Sequence, residues 1–109
     1  MDILIVDDEK SIRLTTSLAL EGEGHYVETA EDGIAATAKV GEKRFGLLLA
    51  DLRMPGLDGI GLIRRMRERG DFTPAMLCTA DLGTGDFLAA VRIGVVKFLL
   101  KPVSLSTLR

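Results

Sequence analysis

Short apolar runs alternate with amphipathic stretches along the chain, a pattern that predicts alternating strands and helices. The apolar runs predict five strands, at residues 3–6, 26–29, 45–50, 74–79 and 95–100. The amphipathic stretches, several of them bounded by glycine, predict four helices, at residues 9–22, 33–41, 59–69 and 85–93. The first, third and fifth strands are apolar on both faces, which is typical of parallel strands covered by helices on either side.

This order of elements predicts a doubly wound α/β fold with right-handed crossovers. In such sheets, ligands bind beyond the carboxyl ends of the strands, where the strand order reverses. The residues that follow each predicted strand are therefore the first candidates for chemistry.

The composition narrows the class of protein without naming a function. With 109 residues, 47% of them hydrophobic and 28% charged, the chain is expected to form one globular domain. A net charge of -2 does not favour a nucleic-acid-binding surface, and the apolar runs are too short to span a membrane. Cys78 is the single cysteine, and no basic segment precedes the first apolar run, so we expect a cytoplasmic protein.

Acidic residues follow two of the predicted strands. Asp7 and Asp8 come directly after the first strand, and Asp51 closes the third. Carboxylates held within about 4–6 Å of each other repel, so the group needs a counter-charge. A set made only of oxygen donors favours a hard divalent cation such as Mg²⁺, whose coordination a phosphate often completes. An aspartate in such a place can itself attack a phosphoryl group and form an aspartyl phosphate.

The fourth and fifth strands add polar groups to the same edge of the predicted sheet. Thr79 and Ala80 end strand four, and Lys101 follows strand five. A hydroxyl and an ammonium placed there would contact the oxygens of a bound phosphate.

Taken one at a time, several of these residues have plainer interpretations. Asp8 alone would be a helix N-cap, Lys101 a surface side chain and Phe98 part of the core. Asp58 is predicted only to cap a helix, and His25 only to lie in an exposed turn. It is the combination of strand-end groups that favours a metal and phosphate site.

Five segments, in this order, resemble the receiver domain of two-component response regulators. They are "LIVDDE", "ETAEDG", "ADLRMPGLDG", "TPAMLCTA" and "KFLLKP", and together they span nearly the whole chain. The third is the most specific, because its Met-Pro-Gly turn and Asp-Gly helix start rarely occur together elsewhere. The resemblance implies a flavodoxin-like, CheY-like (βα)5 fold with five parallel strands in the order 2-1-3-4-5.

The resemblance implies that Asp51 is the phosphoacceptor. It also implies a site for Mg²⁺ or Mn²⁺ formed by Asp7, Asp8, Asp51 and the backbone carbonyl of Arg53. Asp8 would bind the ion directly, and Asp7 would hold metal-bound water.

The resemblance further implies which groups contact the phosphoryl group. Lys101 would pair with its oxygens, the Thr79 hydroxyl would turn toward them, and the backbone N–H of Ala80 would donate to them. Asp51, Thr79 and Lys101 are therefore the implied catalytic residues. Thr79 and Phe98 would form the switch, with the Phe98 ring moving between outward and inward positions.

The implied function is that of a receiver in a phosphorelay. A sensor histidine kinase or a phosphotransfer protein would supply the phosphoryl group, and the receiver would catalyse its own phosphorylation and dephosphorylation rather than turn over a separate substrate. The switch would control an output domain or effector, with transcription regulation as one expected output. The receiver itself is expected to contact neither nucleic acid nor membrane, and a homodimer is left open.

The end of the chain departs from the family pattern. After Pro102 only "VSLSTLR" remains, about one turn of a fifth helix where the family usually has about three. We expect residues 1–109 to be a receiver domain with a truncated fifth helix, from the N-terminal part of a longer response regulator.

Three alternatives compete with this interpretation. An aspartyl-phosphate phosphatase would carry its nucleophile in an Asp-x-Asp signature after strand one, which "VDDE" lacks. A flavodoxin-like cofactor binder would need a phosphate loop rich in Ser, Thr or Gly there, whereas "DDEKS" is acidic. A degenerate receiver that serves only as an interaction module is the remaining alternative, and the set of Asp8, Asp51, Thr79 and Lys101 argues against it.

Overall fold

The computed structural model describes residues 1–80 and 84–100, and it forms five strands and four helices in strict alternation. The strands are β1 (Asp2–Val6), β2 (Tyr26–Ala30), β3 (Leu47–Asp51), β4 (Ala75–Thr79) and β5 (Lys97–Leu100). The helices are α1 (Lys10–Gly22), α2 (Gly33–Glu42), α3 (Gly59–Glu68) and α4 (Thr84–Arg92). Each predicted strand and helix is confirmed, although β3 and β5 begin two residues later than predicted. The predicted fifth-helix segment lies outside the described residues.

The strands form one parallel sheet in the order β2-β1-β3-β4-β5, as predicted. The order reverses between β1 and β3, because the chain first adds β2 on one side of β1 and then β3 on the other. Val6 pairs with Ala50, and Asp51 pairs with Cys78. The carboxyl ends of β1, β3 and β4 therefore meet at one edge of the sheet.

Two apolar layers cover the faces of the sheet. Alternate side chains of the strands point to opposite faces, so Leu4 and Val6 face one layer and Ile3 and Ile5 the other. The first layer packs against α2, α3 and α4, and the second packs against α1 through Leu20. All four residues 3–6 of β1 are at most 2% exposed, as expected for a central parallel strand.

Aspartate caps begin two of the helices. The carboxylate of Asp32 accepts a hydrogen bond from the Ala35 N–H at 2.8 Å, and that of Asp58 accepts one from the Gly61 N–H at 2.7 Å. The cap at Asp58 was predicted. Asp8 does not act as the cap of α1: the N-cap position belongs to Glu9, whose side chain makes no capping bond. The plainer interpretation of Asp8 is therefore wrong.

Arg67 of α3 fastens that helix to two neighbouring segments. Its Nε donates to the carbonyl oxygen of Ile93 at 2.8 Å, just after α4. Its Nη1 donates to the carbonyls of Asp71 and Thr73, both at 3.0 Å. Burial lowers the pKa of the Arg67 guanidinium, an effect that the nearby Asp71 carboxylate partly opposes. Arg67 is thus a structural residue, although it lies in the charged run "RRMRER".

Within the described part of the chain, no helix combines the length and apolar character required to cross a lipid bilayer.

Candidate functional site

The edge where the order of the sheet reverses gathers the predicted acidic residues. Asp7 follows β1 directly and is 3% exposed, Asp51 ends β3 at 6%, and Thr79 ends β4 at 1%. Asp8 lies beside them with its side chain exposed to solvent. One carboxylate oxygen from each of Asp7, Asp8 and Asp51 lies within 4.8 Å of those of the other two. Residues 44 positions apart in sequence thus form one cluster, as predicted from the strand ends.

The segment after Asp51 folds tightly against the end of its own strand. Gly56 adopts φ +75°, a left-handed conformation that favours glycine. A Cβ on Gly59 would lie 2.5 Å from the Asp51 carbonyl oxygen and 2.7 Å from Cδ2 of Leu77. Asp58, which lies between these two glycines in the sequence, caps α3. The sequence "MPGLDG" therefore builds a turn that brings the start of α3 directly under the phosphoacceptor candidate.

Hydrogen bonds orient the two buried carboxylates. Oδ1 of Asp7 accepts from the backbone N–H of Glu9 at 2.9 Å, and Oδ1 of Asp51 accepts from the backbone N–H of Arg53 at 3.3 Å. Nη1 of Arg13 donates to the carbonyl oxygen of Asp7 at 2.7 Å. Arg13 was not predicted to belong to the site; its position one turn into α1 was the available signal.

The donor set of the cluster fits a hard divalent cation. Two unit charges about 5 Å apart repel by roughly 3 kcal/mol at an effective dielectric constant of about 20. The three carboxylates at this edge form three such pairs, and two of the carboxylates, those of Asp7 and Asp51, are buried. The donors are carboxylate oxygens, which Mg²⁺ and Mn²⁺ prefer, and the exposed Asp8 leaves the cluster open to solvent on one side.

The remaining predicted residues lie at defined places in the fold. Ala80 is exposed immediately after β4, and Phe98 is half-buried in β5. Lys101 lies outside the described residues. His25 lies near the opposite edge of the sheet, where its Nδ1 is 3.1 Å from the N-terminal nitrogen of Met1. His25 thus lies far from the acidic cluster, in the turn that was predicted for it, although the residue is half-buried rather than exposed.

Two contacts beside the site were not predicted from the sequence. Nη2 of Arg53 lies 2.5 Å from Oδ2 of Asp86, in the first turn of α4. The ring of Phe87 stacks on that of Phe98, with centroids 5.6 Å apart and planes at 29°. Arg53 and Asp86 are 33 positions apart, and local sequence carries no signal for a pair at that separation.

Comparison with known proteins agrees with this geometry. Residues 3–109 match the family model described as the response regulator receiver domain. Response regulator MprA of Mycobacterium avium (strain 104) is 34% identical over 108 residues, covering 99% of this chain and 47% of that protein. The chain thus spans about half the length of the curated relatives it matches.

Solved structures are similar along almost the whole chain. The chemotaxis protein CheY4 of Vibrio cholerae superposes with a TM-score of 0.92 at 33% identity, covering 98% of this chain and 91% of that one. A CheY-like response regulator receiver domain protein of Methanospirillum hungatei JF-1 gives a TM-score of 0.93 at 28% identity, with 98% and 86% covered.

Proposed function

The chain belongs to the response regulator receiver domain family, and on that premise we propose that Asp51 is the phosphoacceptor of a two-component switch. The observation that carries the proposal is the cluster of Asp7, Asp8 and Asp51, whose carboxylate oxygens lie within 4.8 Å of one another. Asp51 is buried at the end of a central strand, so its carboxylate is held in one place. A fixed, partly desolvated carboxylate beside a cation site suits attack on phosphorus.

Asp7, Asp8, Asp51 and the backbone carbonyl of Arg53 would hold Mg²⁺ or Mn²⁺. Such an ion, when bound, would neutralise the clustered carboxylates and polarise the phosphoryl oxygens. The Glu9 N–H keeps one oxygen of Asp7 engaged at 2.9 Å, so this carboxylate has a fixed orientation toward the cluster.

In the transfer step, an oxygen of the Asp51 carboxylate forms a bond to phosphorus. The bond from phosphorus to the donor breaks at the same time: the P–N bond of a phosphohistidine, whose imidazole leaves with the electron pair and takes up a proton. Attack by water on the resulting aspartyl phosphate returns the carboxylate and releases inorganic phosphate. The chain thereby catalyses its own phosphorylation and dephosphorylation: the donor leaves without its phosphoryl group, and hydrolysis returns Asp51 to its starting state.

Thr79, Ala80 and Lys101 are proposed to bind the phosphoryl oxygens. The position of Thr79 supports this role: it ends β4, the strand adjacent to β3, one residue after Cys78, which pairs with Asp51. Thr79 is also only 1% exposed. Ala80 follows it at the surface, where its N–H can reach an oxygen at the end of β4. Lys101 is assigned from the sequence alone.

A sensor histidine kinase or a phosphotransfer protein is the proposed donor, acting in the cytoplasm. The proposed readout is a change at Thr79 and Phe98, passed to an output domain or effector. The curated relatives are about twice as long as this chain, which supports an output domain as the partner in the full protein. The name of MprA, a response regulator, is consistent with a regulatory output.

The proposal is tested with acetyl phosphate and Mg²⁺, followed by intact-mass measurement. The native chain should gain the mass of one phosphoryl group, and Asp51→Asn should gain none. Asp58→Asn, which lies in the same loop and preserves a capping residue, is the matched control and should be phosphorylated like the native chain. If the native chain gains no mass, the proposal is wrong and the chain would act only as an interaction module. If Asp51→Asn is still phosphorylated, the phosphoacceptor is another residue.

A further inference from the structure

A cation beside the proposed phosphoacceptor is tied to a different part of the fold. The backbone N–H of Arg53 lies 3.3 Å from Oδ1 of Asp51, while its guanidinium pairs with Asp86 in α4. The Asp86 side chain is 26% exposed and that of Arg53 59%. One residue therefore links the loop after β3 to the first turn of α4.

The same turn of α4 also carries the partner of Phe98. Phe87 follows Asp86 directly, and its ring stacks on that of Phe98. Phe98 lies on β5 opposite Leu77 of β4, two positions before Thr79. A short series of contacts thus runs from Asp51 through Arg53, Asp86 and Phe87 to the proposed switch aromatic.

The two ends of α4 are held by arginines of different character. Arg67 holds the end near Ile93 through a half-buried guanidinium that donates hydrogen bonds to three backbone carbonyls. Because these acceptors are fixed parts of the backbone, we expect the contact to persist in both states of the switch. Arg53 holds the other end through a single carboxylate on the solvent side. The Arg67 contact therefore fixes one end of α4. At the other end, Arg53 can release the Asp86 carboxylate and bind another anion.

We propose that the Arg53–Asp86 ion pair is a latch that a phosphoryl group on Asp51 opens. This rests on the proposed function of Asp51. A phosphoryl group adds about two negative charges and three acceptor oxygens only two residues from Arg53. Guanidinium binds phosphate in a bidentate, charge-assisted manner, which the single carboxylate of Asp86 cannot match in charge.

Opening of the latch frees the first turn of α4. Asp86 loses its counter-charge, Phe87 is no longer held against Phe98 from that side, and the Phe98 ring gains room to move. By thermodynamic linkage the effect is reciprocal: Asp86 competes for Arg53 and so weakens the hold of the site on the phosphoryl group. The competition is the property that distinguishes a latch from an ordinary surface ion pair.

The test is a double-mutant cycle on affinity for beryllofluoride, a tetrahedral mimic of the phosphoryl group, titrated in Mg²⁺ and followed by ¹⁹F NMR. The proteins are native, Asp86→Asn, Arg53→Met and the double variant. Asp86→Asn should tighten binding about threefold when Arg53 is present, the scale of a partly exposed ion pair, and leave it unchanged in the Arg53→Met background. Arg92→Met, which removes an exposed cation from the last turn of α4, controls for general charge effects and should leave affinity unchanged.

Hydrogen exchange of the backbone amides of residues 88–91, which by helix geometry donate to the carbonyls of the first turn of α4, provides a second readout. The mimic should speed exchange there in the native chain, and Arg53→Met should show fast exchange already without it. The latch would be overturned if Asp86→Asn changed beryllofluoride affinity equally with and without Arg53, or if the mimic left hydrogen exchange in α4 unchanged. In either case, phosphorylation of the native chain by acetyl phosphate would still support the proposed function. A native chain that acetyl phosphate does not phosphorylate would overturn both.

Discussion

Gly59 lies directly against Asp51: a Cβ at Gly59 would stand 2.5 Å from the carbonyl oxygen of Asp51. The contact is with backbone that cannot rotate away, so even one methyl group must displace β3 or the start of α3. The glycine of the "LDG" segment is thus required by the close approach of the helix to the proposed phosphoacceptor.

Gly59→Ala is expected to destabilise the fold by about 1–3 kcal/mol, the usual cost of overpacking, and to slow phosphorylation of Asp51. The matched control is Gly41→Ala in α2, where an added Cβ meets nothing within 4 Å. That change should stabilise by up to about 1 kcal/mol, because alanine is the better helix former. Urea unfolding of both variants provides the comparison, and equal stability of the two would contradict the packing account.

Ser17→Ala in α1 is expected to raise stability by about 0.5–1 kcal/mol. Among side-chain polar atoms in the described residues, Oγ of Ser17 is buried without a hydrogen-bond partner. Its removal lifts that desolvation cost and improves helix propensity. Ser11→Ala, exposed on the same helix, shares only the propensity gain and should stabilise less. Thermal unfolding would decide, and a lower Tm for Ser17→Ala would contradict the prediction.

Arg67→Lys is expected to destabilise by about 1–3 kcal/mol, because an ammonium cannot reproduce the fork that donates to three carbonyls. Amides near Ile93 should also exchange faster, since that carbonyl loses its donor. Arg64→Lys, exposed on the same helix, is the control and should change little. If the two variants unfold at the same denaturant concentration, Arg67 is not the structural anchor described.

The pH dependence of stability should reflect Glu28. Lys43 and then Lys39 hold the pKa of the Glu28 carboxyl below its usual value of 4.5. A lowered folded-state pKa means stability that is present above the unfolded value and lost as the pH falls through the folded one. Glu28→Gln should therefore lower the Tm near neutral pH, and this deficit should shrink as the pH falls below 4.5 and the native carboxyl becomes protonated. Glu68→Gln, exposed on α3, should show no such trend, and a Glu28→Gln deficit that persists in acid would contradict the ion-pair explanation.

Much of the fold could be read from the sequence because burial and local signals agree there. Ile3–Val6 is apolar on both faces and is buried on both, and Asp58 caps the helix that its position predicted. The start of β3 was predicted too early because an apolar pattern reports burial and not strand pairing: Phe45 is buried yet precedes the strand. At β5 the apolar pattern failed to report burial as well, since Val96 is 63% exposed and precedes the strand, although its N–H donates to the Ala75 carbonyl at 2.9 Å.

The acidic cluster could be predicted because strand topology alone brings Asp7, Asp8 and Asp51 to one edge. The Arg53–Asp86 pair and the stacking of Phe87 on Phe98 could not, because both depend on how α4 sits over the loops. The rotation and position of a helix over a sheet are set by tertiary packing, and the residues near Arg53 in the sequence do not indicate where α4 lies. The buried Ser17 was missed for the same reason.

The most direct test of the account is the response of stability to Mg²⁺ in the native chain and in Asp8→Asn, with Glu42→Gln as a control that removes an equal charge at the far end of α2. If three carboxylates share a cation, Mg²⁺ should raise the Tm of the native chain and of Glu42→Gln well above that in chelator. Asp8→Asn should be more stable than native in chelator, where repulsion is relieved, and less stable in Mg²⁺, where a ligand is missing. A native Tm that does not respond to Mg²⁺, or an Asp8→Asn effect of the same sign in both conditions, would contradict the central claim.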